Sequence, residues 1–155
     1  MKKLPIVMDF DTGTDDAIAI ICALMHRDCL DIKAITAVAG NVPLDATAAN
    51  TLNIVDFLGH TDIPVARGAA TPLKRELKCA ISHGKTGLGD VVVPTSTRNF
   101  CEKDAAEVIY DAAVECAGEL VYLATGPQTN IALAIQRHPD IVKLIKKVYI
   151  MGGCL

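Results

Sequence analysis

At 155 residues the chain fits one domain and is long enough to bury a sizeable core. Hydrophobic residues make up 51% and aromatics only 4%, with no Trp, so the core must be built from Ala, Val, Ile and Leu, as suits a parallel sheet covered by helices. A net charge of −3 argues against broad nucleic-acid or acidic-membrane binding. No apolar run reaches the roughly 18 residues of a membrane span, and no charged-then-apolar leader with a cleavage site opens the chain.

In chain order, "LPIVMDF" is a short, nearly continuous apolar run, the pattern of a strand buried on both faces. "TGT" breaks it, and "DDAIAIICALMHR" predicts a helix with acidic residues in its first turn. "DIKAITAVAG" is a second strand ending at Gly40, and Pro43 is placed to start the helix "LDATAANTLNIVDFLG". "IPVARG" is a third, shorter strand. From Thr71 to about Glu102 the periodicity fades into Gly, Ser, Thr and Pro, a loop long enough to be functional or mobile. "KDAAEVIYDAAVECAG" returns to helical spacing, "ELVYLAT" is a fourth strand and "GPQTNIALAIQRHP" a helix interrupted by Pro139. "DIVKLIKK" predicts one more helical segment and "VYIMGG" a fifth strand. Strands alternating with helices predict an α/β fold: an open, mainly parallel sheet flanked by helices, in a single domain over 1–155.

The six cysteines (Cys22, Cys29, Cys79, Cys101, Cys116, Cys154) form no CxxC pair. Apolar surroundings such as "AIICALM" predict buried, reduced thiols of a cytoplasmic protein rather than a disulfide or zinc framework.

The chemically costly stretch is "DFDTGTDD". Asp9, Asp11, Asp15 and Asp16 fall within eight residues, and carboxylates so close repel one another unless solvated or compensated by a cation. Ligands in open parallel sheets bind beyond the carboxyl ends of the strands, where Asp9 and Asp11 fall. Residues two apart on a strand share a face, and Gly13 permits a turn that folds Asp15 and Asp16 back toward them. Converging carboxylate oxygens suit a hard cation, Ca²⁺ or Mg²⁺, better than zinc. The bland alternative, helix-dipole complements plus solvated loop residues, explains one acidic pair better than the whole array.

Two further strand ends lie at the same edge. "AVAGN" places Asn41 past the second strand and "LATGPQTN" places Thr125 past the fourth, where an amide can orient water and a freed carbonyl can ligate a cation. "SHGKTGLGD" is no P-loop, because Cys79 stands where that motif needs Gly and no buried strand precedes it. His83 in that loop could reach a ligand. His26, His60 and His138 follow helical stretches, where the helix dipole explains them.

At these residues the sequence resembles the inosine–uridine-preferring nucleoside hydrolases. "DFDTGTDDAIAI", "AVAGN", "HGKTGLGD", "ATGPQTNIALA" and "VYIMGG" follow that family's motifs in order and spacing, with Thr12 where the family usually has Pro. The resemblance implies hydrolysis of the N-glycosidic bond of ribonucleosides with a bound Ca²⁺. It implies Asp11, Asp16 and the Thr125 carbonyl as calcium ligands, and Asp11 as the base that deprotonates the attacking water. Asp15 would bind a ribose hydroxyl, Asn41 would hold water and sugar, His83 would face the ribose or base, and Asp9 would support the site. Carboxylates suit this chemistry because glycoside cleavage develops positive charge on the sugar.

Family members are longer, and their remaining site residues follow the "MGG" strand. The chain is therefore expected to correspond to the N-terminal half, with impaired activity alone and with apolar surfaces that pair with another copy or a complementing C-terminal half. Two other classes remain at this stage: a non-catalytic interaction unit, and a haloacid-dehalogenase-like phosphatase. The phosphatase would need Thr or Val at Gly13 and leaves Asp15 and Asp16 unexplained.

Overall fold

The computed structural model describes residues 2–153, so Cys154 lies outside the described residues. The strands are β1 (Leu4–Phe10), β2 (Leu30–Ala37), β3 (Val65–Arg67), β4 (Leu120–Ala124) and β5 (Ile145–Ile150). They form one sheet in the order β3-β2-β1-β4-β5, with every pairing parallel. The helices are α1 (Thr14–Met25), α2 (Leu44–Phe57), α3 (Ala105–Glu115) and α4 (Thr129–Arg137).

The alternation along β1 feeds two cores. Ile6, Met8 and Phe10 pack with Ile20 and Leu24 of α1 and Leu52, Ile54 and Val55 of α2. Val7 packs with Ile109 and Ala113 of α3, Tyr122 of β4 and Ile131 of α4. Two helices therefore cover each face, which is why the central strand reads as a continuous apolar run. The strand order reverses between β1 and β4, so the switch point of the sheet falls at the carboxyl ends of those two strands.

Several local expectations change. "DIVKLIKK" is helical only as a 3₁₀ segment, Pro139–Lys143, and β5 begins at Ile145. Pairing of Ile145 and Lys147 with Leu120 and Val121 outweighs the local helical pattern. The five cysteines among the described residues are free but not buried. Cys22, Cys29 and Cys79 are exposed and Cys101 and Cys116 partly so. Helix α1 buries Asp16, Ile20 and Leu24, a four-residue spacing that turns Cys22 outward. No helix among the described residues is long and apolar enough to cross a membrane. Along the β5 edge Val148, Tyr149, Ile150 and Met151 are all exposed.

The aperiodic stretch contains no helix or strand between Arg67 and Ala105, yet it is fastened down. Leu88 is buried in the α1–α2 core, and Val93 and Phe100 pack against it. Helix α2 adds a polar row at helical spacing. Asn53 Oδ1 accepts the Ser96 N–H at 2.8 Å, and Asp56 accepts from the Ser96 hydroxyl and from Arg98 Nε at 2.9 Å. Burial pushes the Asp56 carboxyl up, but Arg98 and Ser96 outweigh it and hold the group below the usual carboxylate range. A depressed pKa stabilises the fold above the ordinary carboxylate value, and that contribution is lost as pH falls through the folded value. Hydrogen exchange at the Ser96 amide is therefore expected to accelerate below about pH 4, relative to its intrinsic rate. Arg98→Ala should remove the acid dependence; an unchanged profile in that variant would discount the Asp56–Arg98 clasp.

Candidate functional site

Asp11 is the first residue beyond β1 and is buried where that strand and β4 part. Its Oδ2 accepts the Asn41 backbone N–H at 2.8 Å, and its carbonyl accepts the Asn41 side-chain amide at 3.1 Å. The carboxylate fills space that two glycines leave open. A Cβ on Gly40 would overlap Asp11 Oδ2, and one on Gly126 would lie 2.8 Å from the Asp11 nitrogen. The Gly in "AVAGN" and the Gly in "ATGPQ" are thus room for Asp11.

Gly13 caps α1, and its N–H donates to Asp16 Oδ2 at 3.1 Å, so the helix start turns Asp16 inward. Thr125, just past β4, donates its hydroxyl to Asp16 Oδ1 at 2.6 Å, while its own N–H goes to the Asp9 carbonyl at 3.1 Å. Asp11 and Asp16 therefore stand side by side. Burial, then the charge of Asp16, pushes the Asp11 pKa up to about 6. Burial also raises Asp16, against the opposing bonds from Thr125 and Gly13.

The four aspartates do not converge as one cluster. Asp9 is fully buried and wholly occupied by protein donors. Its Oδ1 accepts from Thr36 at 2.5 Å and Asn130 at 2.8 Å, and its Oδ2 from the Tyr122 hydroxyl at 2.6 Å. Burial outweighs these bonds and lifts its pKa to about 6. Asp15 points outward toward His83, whose Nε2 is 3.9 Å from Asp15 Oδ1. His83 Nδ1 accepts the Thr14 backbone N–H at 3.3 Å and lies 3.0 Å from the Thr14 hydroxyl. A backbone N–H can only donate, so a neutral His83 carries its proton on Nε2, toward Asp15.

Sequence reasoning missed the buried ring around Asp9. Asn130, a nearly fully buried amide on a helix face shared with Ile131 and Ala134, is the signal that was available. It missed Tyr122 and Thr36 because each reads as an ordinary strand residue.

Two adjacent carboxylates that repel each other, with hard oxygen donors around them, fit a hard cation by donor type. They are two rather than three, and among the described residues no group of three His, Cys, Asp or Glu is arranged to hold a metal.

An open parallel sheet with paired, buried carboxylates at its switch point defines an α/β protein with an acidic sheet-edge site. The chain belongs to the inosine–uridine preferring nucleoside hydrolase family, whose sequence model matches residues 6–155. It is 43% identical over 153 residues to the pyrimidine-specific ribonucleoside hydrolase RihA of Escherichia coli K12, covering 98% of this chain and 49% of the relative. A purine-preferring ribonucleoside hydrolase from Gardnerella vaginalis superposes with a TM-score of 0.89 at 35% identity, covering 97% of this chain and 49% of that one. The plant nucleoside hydrolase PpNRh1 superposes with a TM-score of 0.91 at 35% identity, covering 99% and 49%. The chain thus spans about half the length of the relatives it matches.

Proposed function

We propose that this chain carries the carboxylate side of a site that hydrolyses the N-glycosidic bond of ribonucleosides. The observation that carries this is the Asp11–Asp16 pair between Asn41 and Thr125 at the switch point. In this reaction water adds to the anomeric carbon, the C–N bond breaks, its electron pair leaves with the nucleobase, and the water proton passes to Asp11. The two neighbouring carboxylates stabilise the positive charge that develops on the sugar. Asn41 holds the water and sugar. Asp15, at the open side, takes a ribose hydroxyl, His83 faces the ribose or the nucleobase, and Asp9 keeps the end of β1 in place. Asp11, Asp16 and the Thr125 carbonyl would hold Ca²⁺. When bound, that ion supplies a lower pKa for water and a chelation point for vicinal hydroxyls.

The named preferences of the relatives diverge between pyrimidine and purine, so the assay offers the purified chain both uridine and inosine, with p-nitrophenyl phosphate as a third arm. Base release that is slow, in keeping with a chain spanning about half its relatives' length, needs Ca²⁺ and falls by up to about 10³-fold in Asp11→Asn is the expected result, without phosphate release. Calorimetry should show Ca²⁺ binding to the parent and its loss in Asp16→Asn. Neither base release nor Ca²⁺ binding in the parent would leave a non-catalytic unit as the better account. The apolar edge at β5 supports completion of the sheet by a further polypeptide, a second copy or a complementing half, and a monomer in gel filtration counts against a second copy.

A further inference from the structure

Asn50 lies on α2, remote in sequence from the aspartates, yet its amide touches both sides of the site. Its Nδ2 donates to the Thr12 carbonyl at 3.3 Å, in the turn between Asp11 and Gly13. It also donates to the Thr86 carbonyl at 2.8 Å, in the loop that carries His83. The next residue of α2 reinforces the first contact, because Thr51 Oγ1 and Thr12 Oγ1 are 2.6 Å apart and buried.

The His83 loop is closed on itself and shaped to meet this amide. The Gly89 N–H donates to the His83 carbonyl at 3.0 Å, while Thr86 Oγ1 accepts the Leu88 N–H at 3.2 Å and donates to the Gly89 carbonyl at 3.1 Å. Gly87 rests directly on the bridge. A Cβ there would lie 2.9 Å from Asn50 Nδ2 and 3.1 Å from the Thr12 carbonyl, and its φ of +88° favours glycine. The far end of the loop places His83 against Thr14 and Asp15.

We propose that Asn50 is a positioning residue that fixes the His83 loop onto the aspartate turn, so that His83 stands over Asp15 before any ligand arrives. The proposal rests on the nucleoside-hydrolase reading of Asp15 and His83. The chemistry selects the residue type, because one NH₂ group offers two diverging protons to two carbonyls. Asp offers none, and Ser offers one.

The test uses the full chain without substrate, comparing the parent with Asn50→Ala, Asn50→Ser and Gly87→Ala. Hydrogen exchange at Leu88 and Gly89 should rise by about 10-fold in Asn50→Ala, the loss expected from two hydrogen bonds at a loop. The His83 Cε1–H resonance in NMR should move toward that of a solvated imidazole. Gly87→Ala, which displaces the same contact from the loop side, should move the His83 resonance in the same direction. Asn53→Ala, one turn along α2, should leave it in place. Should Asn50→Ala not fold, Asn50→Ser and Gly87→Ala decide. Unchanged exchange and an unmoved His83 resonance in folded Asn50 variants would overturn the proposal. Both readouts are independent of turnover, so a chain that releases no base sinks the proposed activity while Asn50 is judged on its own data.

Discussion

Asp9→Ala is expected to leave the chain largely unfolded at 25 °C, whereas Asp9→Asn should fold. The alanine removes the acceptor shared by Thr36, Tyr122 and Asn130, all buried. Thr36 keeps only the Met8 carbonyl at 3.5 Å, while the Tyr122 hydroxyl and one N–H of Asn130, whose other N–H stays on the Ala37 carbonyl, are left without partners beside a small cavity. Each orphaned donor costs about 1–3 kcal/mol, so the two together with the cavity cost on the order of 4–6 kcal/mol. That is comparable with the entire stability of a typical domain, about 5–15 kcal/mol. Asparagine keeps an oxygen toward Thr36 and Asn130 and turns an NH₂ toward Tyr122, whose hydroxyl oxygen accepts it. It also removes a charge that burial disfavours. Because the folded pKa of Asp9 is raised to about 6, its ionisation costs stability as pH rises through the interval from the ordinary carboxylate value to about 6. The gap between Asp9→Asn and the parent should therefore shift in favour of the variant between pH 4 and 7. Urea denaturation followed by circular dichroism across that range measures both effects. A cooperative transition for Asp9→Ala near that of the parent would contradict the account.

Gly40→Ala is expected to cost about 2–3 kcal/mol and to weaken Ca²⁺ binding by ~10-fold or more. Gly40 has no positive φ, so the backbone accepts alanine; the obstacle is space. The new Cβ would overlap Asp11 Oδ2 and lie 2.8 Å from Asp11 Cβ and Cγ. Asp11 is hemmed in by Gly126 on another side, so it can yield only by abandoning the Asn41 N–H. A displaced Asp11 no longer pairs with Asp16, and a cation would lose one of its two carboxylates. Gly152→Ala is the control, since its Cβ would meet only Ile150 Cγ2 at an ordinary 3.4 Å. Thermal denaturation and Ca²⁺ calorimetry on the two variants read the contrast. Equal behaviour of Gly40→Ala and Gly152→Ala would show that the site relaxes around the methyl.

Which parts of this molecule were legible locally follows from what a local pattern encodes. The apolar run of β1, the turn at Gly13 and the amphipathic pattern of α3 are short-range statements about period and turn chemistry, and all appear in the fold. The same is true of the parallel α/β class and of the aspartates lying at the carboxyl end of the first strand. "DIVKLIKK" misled because its lysines and leucine suit a helix, while β4 supplies a ladder that pattern cannot show. Cys22 misled because an apolar neighbourhood in sequence does not say which side of a helix faces the sheet.

By itself, then, the sequence determined the fold class, the acidic turn and the family. Only the tertiary structure decided how the four aspartates divide. Asp9 is claimed by Thr36, Tyr122 and Asn130, which lie 27, 113 and 121 residues away, and Asp16 meets Thr125 across 109 residues. The long aperiodic loop proved to be tied to α2 through Asn50, Asn53 and Asp56, a polar row to which the sequence pattern assigned no role. Periodicity reports which way a side chain turns within its own element. Partners brought together by strand order and crossovers leave no local trace, and here those partners decide that Asp9 is enclosed while Asp11 and Asp16 stand together at the sheet edge.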